Sequence, residues 1–148
     1  MLIIHDSKLQ KKQNLANYYF NPLECDIEKE IKALTQNRGA DKVIEAAGAN
    51  ETFQMAWKIA RANAIVGVVA LYEENQILPL PNMYGKNLTF KTGGIDAIYS
   101  DELIELISGG KINTDFMFTH EFKLEDIMEA YEVFQDRNSD CIKIAILN

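Results

Sequence analysis

Ile65-Val66-Gly67-Val68-Val69-Ala70-Leu71 is the stretch that decides the fold. Almost every residue in it is apolar and several are β-branched, the composition of a strand covered on both faces by helices, so it reads as a central parallel strand. Upstream, Phe53, Ala56, Trp57 and Ala60 follow the spacing of one buried helical face, and Asn50 stands where an N-cap belongs. Further back, Lys42 to Ala46 is a short, mostly apolar strand. It is preceded by a helix that Asp26 caps, whose stripe is Ile27, Ile31 and Leu34 and which Gly39 ends.

Downstream, Leu88 to Thr92 reads as a strand ending at Gly93 and Gly94, where missing side chains would let a ligand approach the backbone. Between them Ile77, Leu78 and Leu80 alternate with Pro79 and Pro81. Proline cannot donate to a ladder, so a strand here lies at an edge or outside the parent sheet. Ser100 caps a helix carrying Leu103, Ile104, Leu106 and Ile107, which stops at Gly109 and Gly110. Phe116 to Phe122 is a further strand, Ile127, Ala130, Tyr131 and Phe134 mark the buried face of a helix, and Ile142, Ile144 and Ile146 alternate in a last strand. The alternation of strand and helix gives an α/β class with a parallel sheet flanked by helices.

Composition narrows the function. The 148 residues carry a net charge of -7 with a pI near 4.8, which argues against nucleic acid, whose binding depends on clustered Lys and Arg. Cys25 and Cys141 are isolated, and only His5 and His120 accompany them, so neither a zinc cage nor a disulfide framework is indicated. The longest apolar run, Ala64 to Tyr72, is far short of the roughly 20 residues of a membrane helix, and no signal-peptide core opens the chain. The expectation is a soluble cytoplasmic protein without nucleic-acid or membrane partners.

At the N-terminus, Leu2 to Ile4 runs into Asp6. An acid at the end of a second strand accepts hydrogen bonds from the adenosine ribose in dinucleotide-binding sheets, about 20 residues after a glycine-rich turn. That turn and its strand are missing here. Asp6 and Ser7 read equally as the cap of the helix that follows, since Ser7 and Gln10 form a capping-box pattern ahead of Lys8 to Tyr19.

From Gly39 onward the wording resembles the zinc-type medium-chain alcohol dehydrogenases. Gly39-Ala40-Asp41-Lys42-Val43-Ile44-Glu45-Ala46-Ala47-Gly48 is similar to that family's fourth-strand segment, and Leu78-Pro79-Leu80-Pro81 through Leu88-Thr89-Phe90-Lys91-Thr92-Gly93-Gly94 to its dimer-edge and sixth-strand segment. Thr119-His120 with Phe122, Leu124, Ile127 and Ala130 resembles its C-terminal return, and Ile142-Lys143-Ile144 its last strand. In the first 38 residues Asp6 and Lys11 match the ribose-contacting acid and lysine, while the short third strand expected between Tyr19 and Asn21 reads as deleted.

The resemblance implies a partial Rossmann-like sheet over residues 1–97 and a return segment over 98–148 that in relatives packs on the catalytic domain. It implies that Ala47 and Gly48 border the adenine, that Val69, Ala70, Gly93 and Gly94 line the nicotinamide side, and that Lys143 contacts cofactor phosphate; a solvated lysine in an alternating strand is the alternative for Lys143. Ala70 stands where the family often has glycine. The implied cofactor is NAD or NADP, with NAD favoured because Asp6 repels a 2′-phosphate, although Lys8 and Lys11 soften that preference. The family's zinc polarises the alcohol oxygen, but its ligands belong to an N-terminal domain that has no counterpart here, so no catalytic or metal residue is assigned. His120 resembles a packing residue. Two roles follow: the cofactor-domain part of a dehydrogenase, active with a complementing N-terminal fragment, or a non-catalytic module that forms a homodimer through Ile77 to Leu80. A third, stand-alone nucleotide binding by Asp6 and Lys11, stays open beside them.

Overall fold

The computed structural model describes the backbone of residues 2–4 and all of residues 16–94, 96–136 and 138–148. In chain order the elements are strands β1 (Leu2–Ile4) and β2 (Tyr18–Phe20), helix α1 (Ile27–Leu34), β3 (Ala40–Glu45), α2 (Asn50–Ile59) and β4 (Ala60–Val68). There follow α3 (Leu80–Met83), β5 (Thr89–Thr92), α4 (Ser100–Ser108), β6 (Phe118–Lys123), α5 (Ile127–Gln135) and β7 (Lys143–Leu147). Two compact units result, Phe20–Asp96 and a second made from Met1–Tyr19 with Ala97–Asn148.

The unit Phe20–Asp96 is built on a three-stranded parallel sheet with β4 in the middle, between β3 and β5. Val43, Val66 and Phe90 stand in one register row and Glu45, Val68 and Thr92 in the next on the same face. Against that face α2 packs Phe53, Ala56, Trp57 and Ile59, all buried. Val66, fully enclosed at 0% exposure, is the centre of this core. Burying a side chain of that size stabilises the fold by about 1.5 to 3 kcal/mol. On the other face Ile65 and Gly67 are half-buried, and Ile44 is 74% exposed.

Asp26 caps α1 as its sequence position predicts, accepting from the Lys29 amide at 3.2 Å, and Ile27 and Ile31 are buried beneath it. The helix ends at Leu34, earlier than Gly39. Gln36 and Asn37 adopt left-handed backbone, and Gly39 serves a different purpose: a Cβ on it would lie 2.7 Å from the Ile59 carbonyl oxygen, so only glycine lets β3 start beside β4.

Several expectations need correction. The third strand, read as deleted, is present as β2, three residues long and paired with β1. The strands form three separate sheets among the described residues, β1 with β2, β3 through β5, and β6 with β7. Asn50 and Ser100 are the first helical residues of α2 and α4 rather than their caps; Ala49 and Tyr99 occupy the cap positions without a side-chain hydrogen bond. Ala60 is buried but lies beyond the helical residues of α2, as its C-cap and the first residue of β4. Ile77 to Leu80 forms no strand: the Ile77 carbonyl accepts from Gln54 Nε2 at 2.9 Å, and the chain turns into α3 at Leu80. The proline pair permits that short helix because proline suits its first turn.

In the second unit β6 and β7 pair in parallel, with a 3-10 turn over Asp115–Met117 where the strand was expected to begin. α4 ends on Gly109 and the left-handed Gly110 as expected. The predicted stripe of α5 is only partly buried. Ala130 is enclosed, whereas Tyr131 and Phe134 are each 57% exposed, so the covered face is rotated toward Ile127, Ala130 and Val133.

Candidate functional site

Parallel α/β sheets bind ligands in the crevice outside the carboxyl ends of their strands. At that edge of β3, β4 and β5 three short connections emerge: Ala46 to Ala49, Val69 to Tyr72, and Gly93 with Gly94. Six of the nine residues singled out from sequence, Ala47, Gly48, Val69, Ala70, Gly93 and Gly94, therefore sit along one edge of one sheet. Lys143 belongs to the other unit, where it begins β7, faces solvent and pairs in register with Phe118. Asp6 and Lys11 lie outside the described residues.

Glu45, at the end of β3, organises the edge. It is 3% exposed, the one buried polar or charged residue among those described. Its Oε1 accepts from the amides of Ala47 at 2.9 Å and Gly48 at 3.0 Å and from the Thr52 hydroxyl at 2.7 Å, while Oε2 accepts from the Tyr72 hydroxyl. Burial pushes its pKa up, but the hydrogen bonds from Tyr72, Thr52, Ala47 and Gly48 outweigh it and hold the carboxyl below the usual glutamate range. Tyr72 responds oppositely: burial first, then the neighbouring carboxylate, drives its hydroxyl pKa well above the usual tyrosine value. The backbone joins in, with the Val69 amide donating to the Glu45 carbonyl at 3.0 Å.

Gly48 is held at φ +76°, and a Cβ there would lie 2.5 Å from the Leu71 carbonyl oxygen and 3.5 Å from the Ala70 methyl. The first two connections thus touch, and glycine is required where they do. Gly93 and Gly94 differ, since a Cβ on either meets nothing within 4 Å. Their small size leaves open space beside the end of β5.

The donors at this edge bear on what it can hold. The amides of Ala47, Gly48 and Val69 are engaged by Glu45 and point into the protein, so they do not present a cradle for a pyrophosphate. No group of three His, Cys, Asp or Glu side chains capable of holding a metal ion occurs among the described residues, so the residues described do not fit a zinc centre. His120 lies in β6 with Nδ1 3.0 Å from Thr119 Oγ1, which also accepts from the Ile142 amide at 2.9 Å. Among the described residues no helix is long and apolar enough to cross a membrane.

Sequence reading missed Glu45 and Tyr72. The signal for Glu45 was a lone acid closing an apolar strand just before a turn; Tyr72 offered none, because its partner is 27 residues away. It also missed Lys86, at the opposite edge of the sheet. Lys86 Nζ donates to the carbonyls of Trp57 at 2.9 Å and of Lys58 and Ala60 at 2.8 Å, and lies 5.6 Å from the Trp57 ring centroid. Burial lowers its pKa, Glu28 pulls it back up and Lys32 pushes it down again. A cation at the carbonyl end of a helix is favourable because it meets the negative end of the helix dipole.

The comparisons with known proteins define a class. Residues 3–108 match the family model of the zinc-binding dehydrogenases, and the chain belongs to that family. The alcohol dehydrogenase of Cupriavidus necator is 27% identical over 148 residues, covering 96% of this chain and 40% of that protein. The NADP-dependent isopropanol dehydrogenase of Thermoanaerobacter brockii is 27% identical over 141 residues, covering 90% and 39%. Among solved structures, the alcohol dehydrogenase TADH of Thermus sp. ATN1 superimposes with a TM-score of 0.89 over 99% of this chain and 42% of its own, at 22% identity, a likeness of fold. The chain thus spans about 40% of the length of the relatives it matches. It carries the Rossmann-like α/β fold of an alcohol dehydrogenase-like oxidoreductase.

Proposed function

We propose that this chain is the cofactor-side portion of an NAD(P)-dependent alcohol dehydrogenase, in which hydride passes between an alcohol and the nicotinamide ring. The observation that carries the reading is the carboxyl edge of the parallel sheet, where Ala47, Gly48, Val69, Ala70, Gly93 and Gly94 converge in a chain of this family. Ala47 and Gly48 form the adenine side and Val69, Ala70, Gly93 and Gly94 the nicotinamide side. Asp6 favours NAD, since a carboxylate repels a 2′-phosphate. The inward-turned amides make the chain a wall for the nucleotide rather than its grip. Turnover requires a phosphate-gripping turn and metal ligands beyond those that the described residues supply.

The experiment has two arms. Calorimetry with NADH on the 148-residue chain is expected to give weak binding, and no heat at millimolar ligand refutes the wall. Mixing the chain with the N-terminal portion of the Cupriavidus necator alcohol dehydrogenase and following NADH absorbance with secondary alcohols tests complementation, which the absence of turnover refutes.

A self-association reading is favoured by one observation. Ile77 is 74% and Leu80 67% exposed, and Ile77 to Pro79 joins no sheet among the described residues. A second copy pairing here through a two-fold axis would bury both. Sedimentation showing only monomer at high micromolar concentration refutes it.

A further inference from the structure

Glu45 presents a puzzle that the cofactor reading leaves untouched. A buried carboxylate is costly unless its lone pairs are filled, and an apolar residue of similar size would close the core with less risk. Here the lone pairs are filled without any cation among the hydrogen-bond partners. Three of the four donors, the Ala47 and Gly48 amides and the Thr52 hydroxyl, come from the turn and helix that directly follow β3. Tyr72 is the exception, since it belongs to the connection after β4.

Tyr72 is itself fixed at both ends. Its ring meets Phe53 of α2 edge-on, with centroids 6.0 Å apart and planes at 84°, and Phe53 in turn lies 6.2 Å from Phe90 of β5. Its hydroxyl is fixed by Glu45. One carboxylate therefore draws the Ala47–Gly48 turn inward through Oε1 and ties the neighbouring connection to it through Oε2. Gly48 lies against the Leu71 carbonyl at the same point, so the two connections touch there.

We infer that Glu45 and Tyr72 are positioning residues, a latch that fixes the adenine-side turn, Ala47–Gly48, against the connection after β4 and so sets the slot in which the adenine end of a nucleotide lies. The inference rests on reading this edge as the cofactor site. A purely structural role for Glu45 would be met by any donor set that satisfied the carboxylate; the latch requires that the donor come from the second connection, which Tyr72 supplies.

Tyr72→Phe removes only the hydroxyl and keeps the ring on Phe53. Val66→Ala, in the core away from the latch, serves as a comparator for general loss of stability. Amide exchange is measured by nuclear magnetic resonance on the 148-residue chain, and the affinity for ADP by calorimetry. Losing one charge-assisted hydrogen bond is expected to speed exchange at Ala47 and Gly48 about tenfold relative to the β4 amides and to weaken ADP about tenfold. Val66→Ala should speed both sets of amides alike and leave ADP affinity within about twofold. Unchanged exchange at Ala47 and Gly48 in Tyr72→Phe, or a change no larger than in Val66→Ala, overturns the latch. So does equal ADP affinity in the wild type and Tyr72→Phe. If the wild type binds no ADP, the cofactor reading and the slot fall together, while exchange still reports whether Tyr72 holds the turn.

Discussion

Lys86 is one residue in a loop, yet its ammonium terminates α2. Three carbonyls, those of Trp57, Lys58 and Ala60, converge on Nζ within 2.9 Å at the end of the helix. Charge-assisted hydrogen bonds contribute about 1.5 kcal/mol or more each, so three would exceed 4 kcal/mol in isolation. Two effects reduce that. Burial of the ammonium, the same cause that lowers its pKa, works against it, and water reaches the exposed Lys58 carbonyl once the lysine is gone. The contact with Trp57 adds back roughly 0.5 kcal/mol. The expected loss for Lys86→Met, which keeps the aliphatic stem, is about 2 kcal/mol, a fall of about 1 M in the urea midpoint for a chain of this size. Trp57 is the single tryptophan and is buried against this lysine, so its fluorescence reports the unfolding of the unit concerned. Lys86→Arg should recover only part of the loss, because a planar fork does not converge on three carbonyls as an ammonium does. A midpoint shift below about 0.2 M for Lys86→Met refutes the argument, since the three bonds would then contribute no more than water does.

Two further outcomes follow from the sheet edge and one from the exposed Ile77. The folded pKa of Glu45 is lowered, so its contribution to stability is fully present above the ordinary glutamate pKa and is lost as pH falls through the folded value. Urea midpoints measured from about pH 6 to pH 3 should therefore fall for the wild type and fall less steeply for Glu45→Gln; parallel curves refute the assignment. Gly48→Ala combines a left-handed backbone with a contact on the Leu71 carbonyl and should cost more than about 2 kcal/mol by urea denaturation, whereas Gly93→Ala, which meets nothing, should change stability by less than about 0.5 kcal/mol. Ile77→Asp should abolish self-association in sedimentation while leaving the urea midpoint within about 0.3 M, since the residue is exposed in the single chain.

The elements readable from sequence are those whose signal is local. Asp26 caps α1 because its carboxylate needs only the amide three residues on, and the Ile65 to Leu71 run marks β4 through Ile65 to Val68, which lie between two other strands, while Val69 to Leu71, expected in the strand, fall in the connection after it. Errors arose where two local patterns compete. Asn50 and Ser100 favour helix starts, but whether such a residue is the cap or the first helical position depends on where the preceding strand releases the chain. Ile77 to Leu80 has a strand's composition and no ladder to join, so the proline-tolerant helix turn takes over. Tyr131 and Phe134 fit a buried stripe by spacing, yet the contact surface of α5 lies one position around.

The sequence by itself determined the α/β class, the central place of β4, the family resemblance and the row of small residues at the carboxyl ends of the strands, because each of these is written in residues close to one another in the chain. Tertiary structure alone decided that Glu45 is enclosed and bound by Tyr72, that Gly39 and Gly48 are required by the carbonyls of Ile59 and Leu71, and that Lys86 closes α2. Those contacts join residues that the parallel sheet brings together from separate connections. No local pattern records them, because in parallel pairing neighbours in space are separated by a whole crossover.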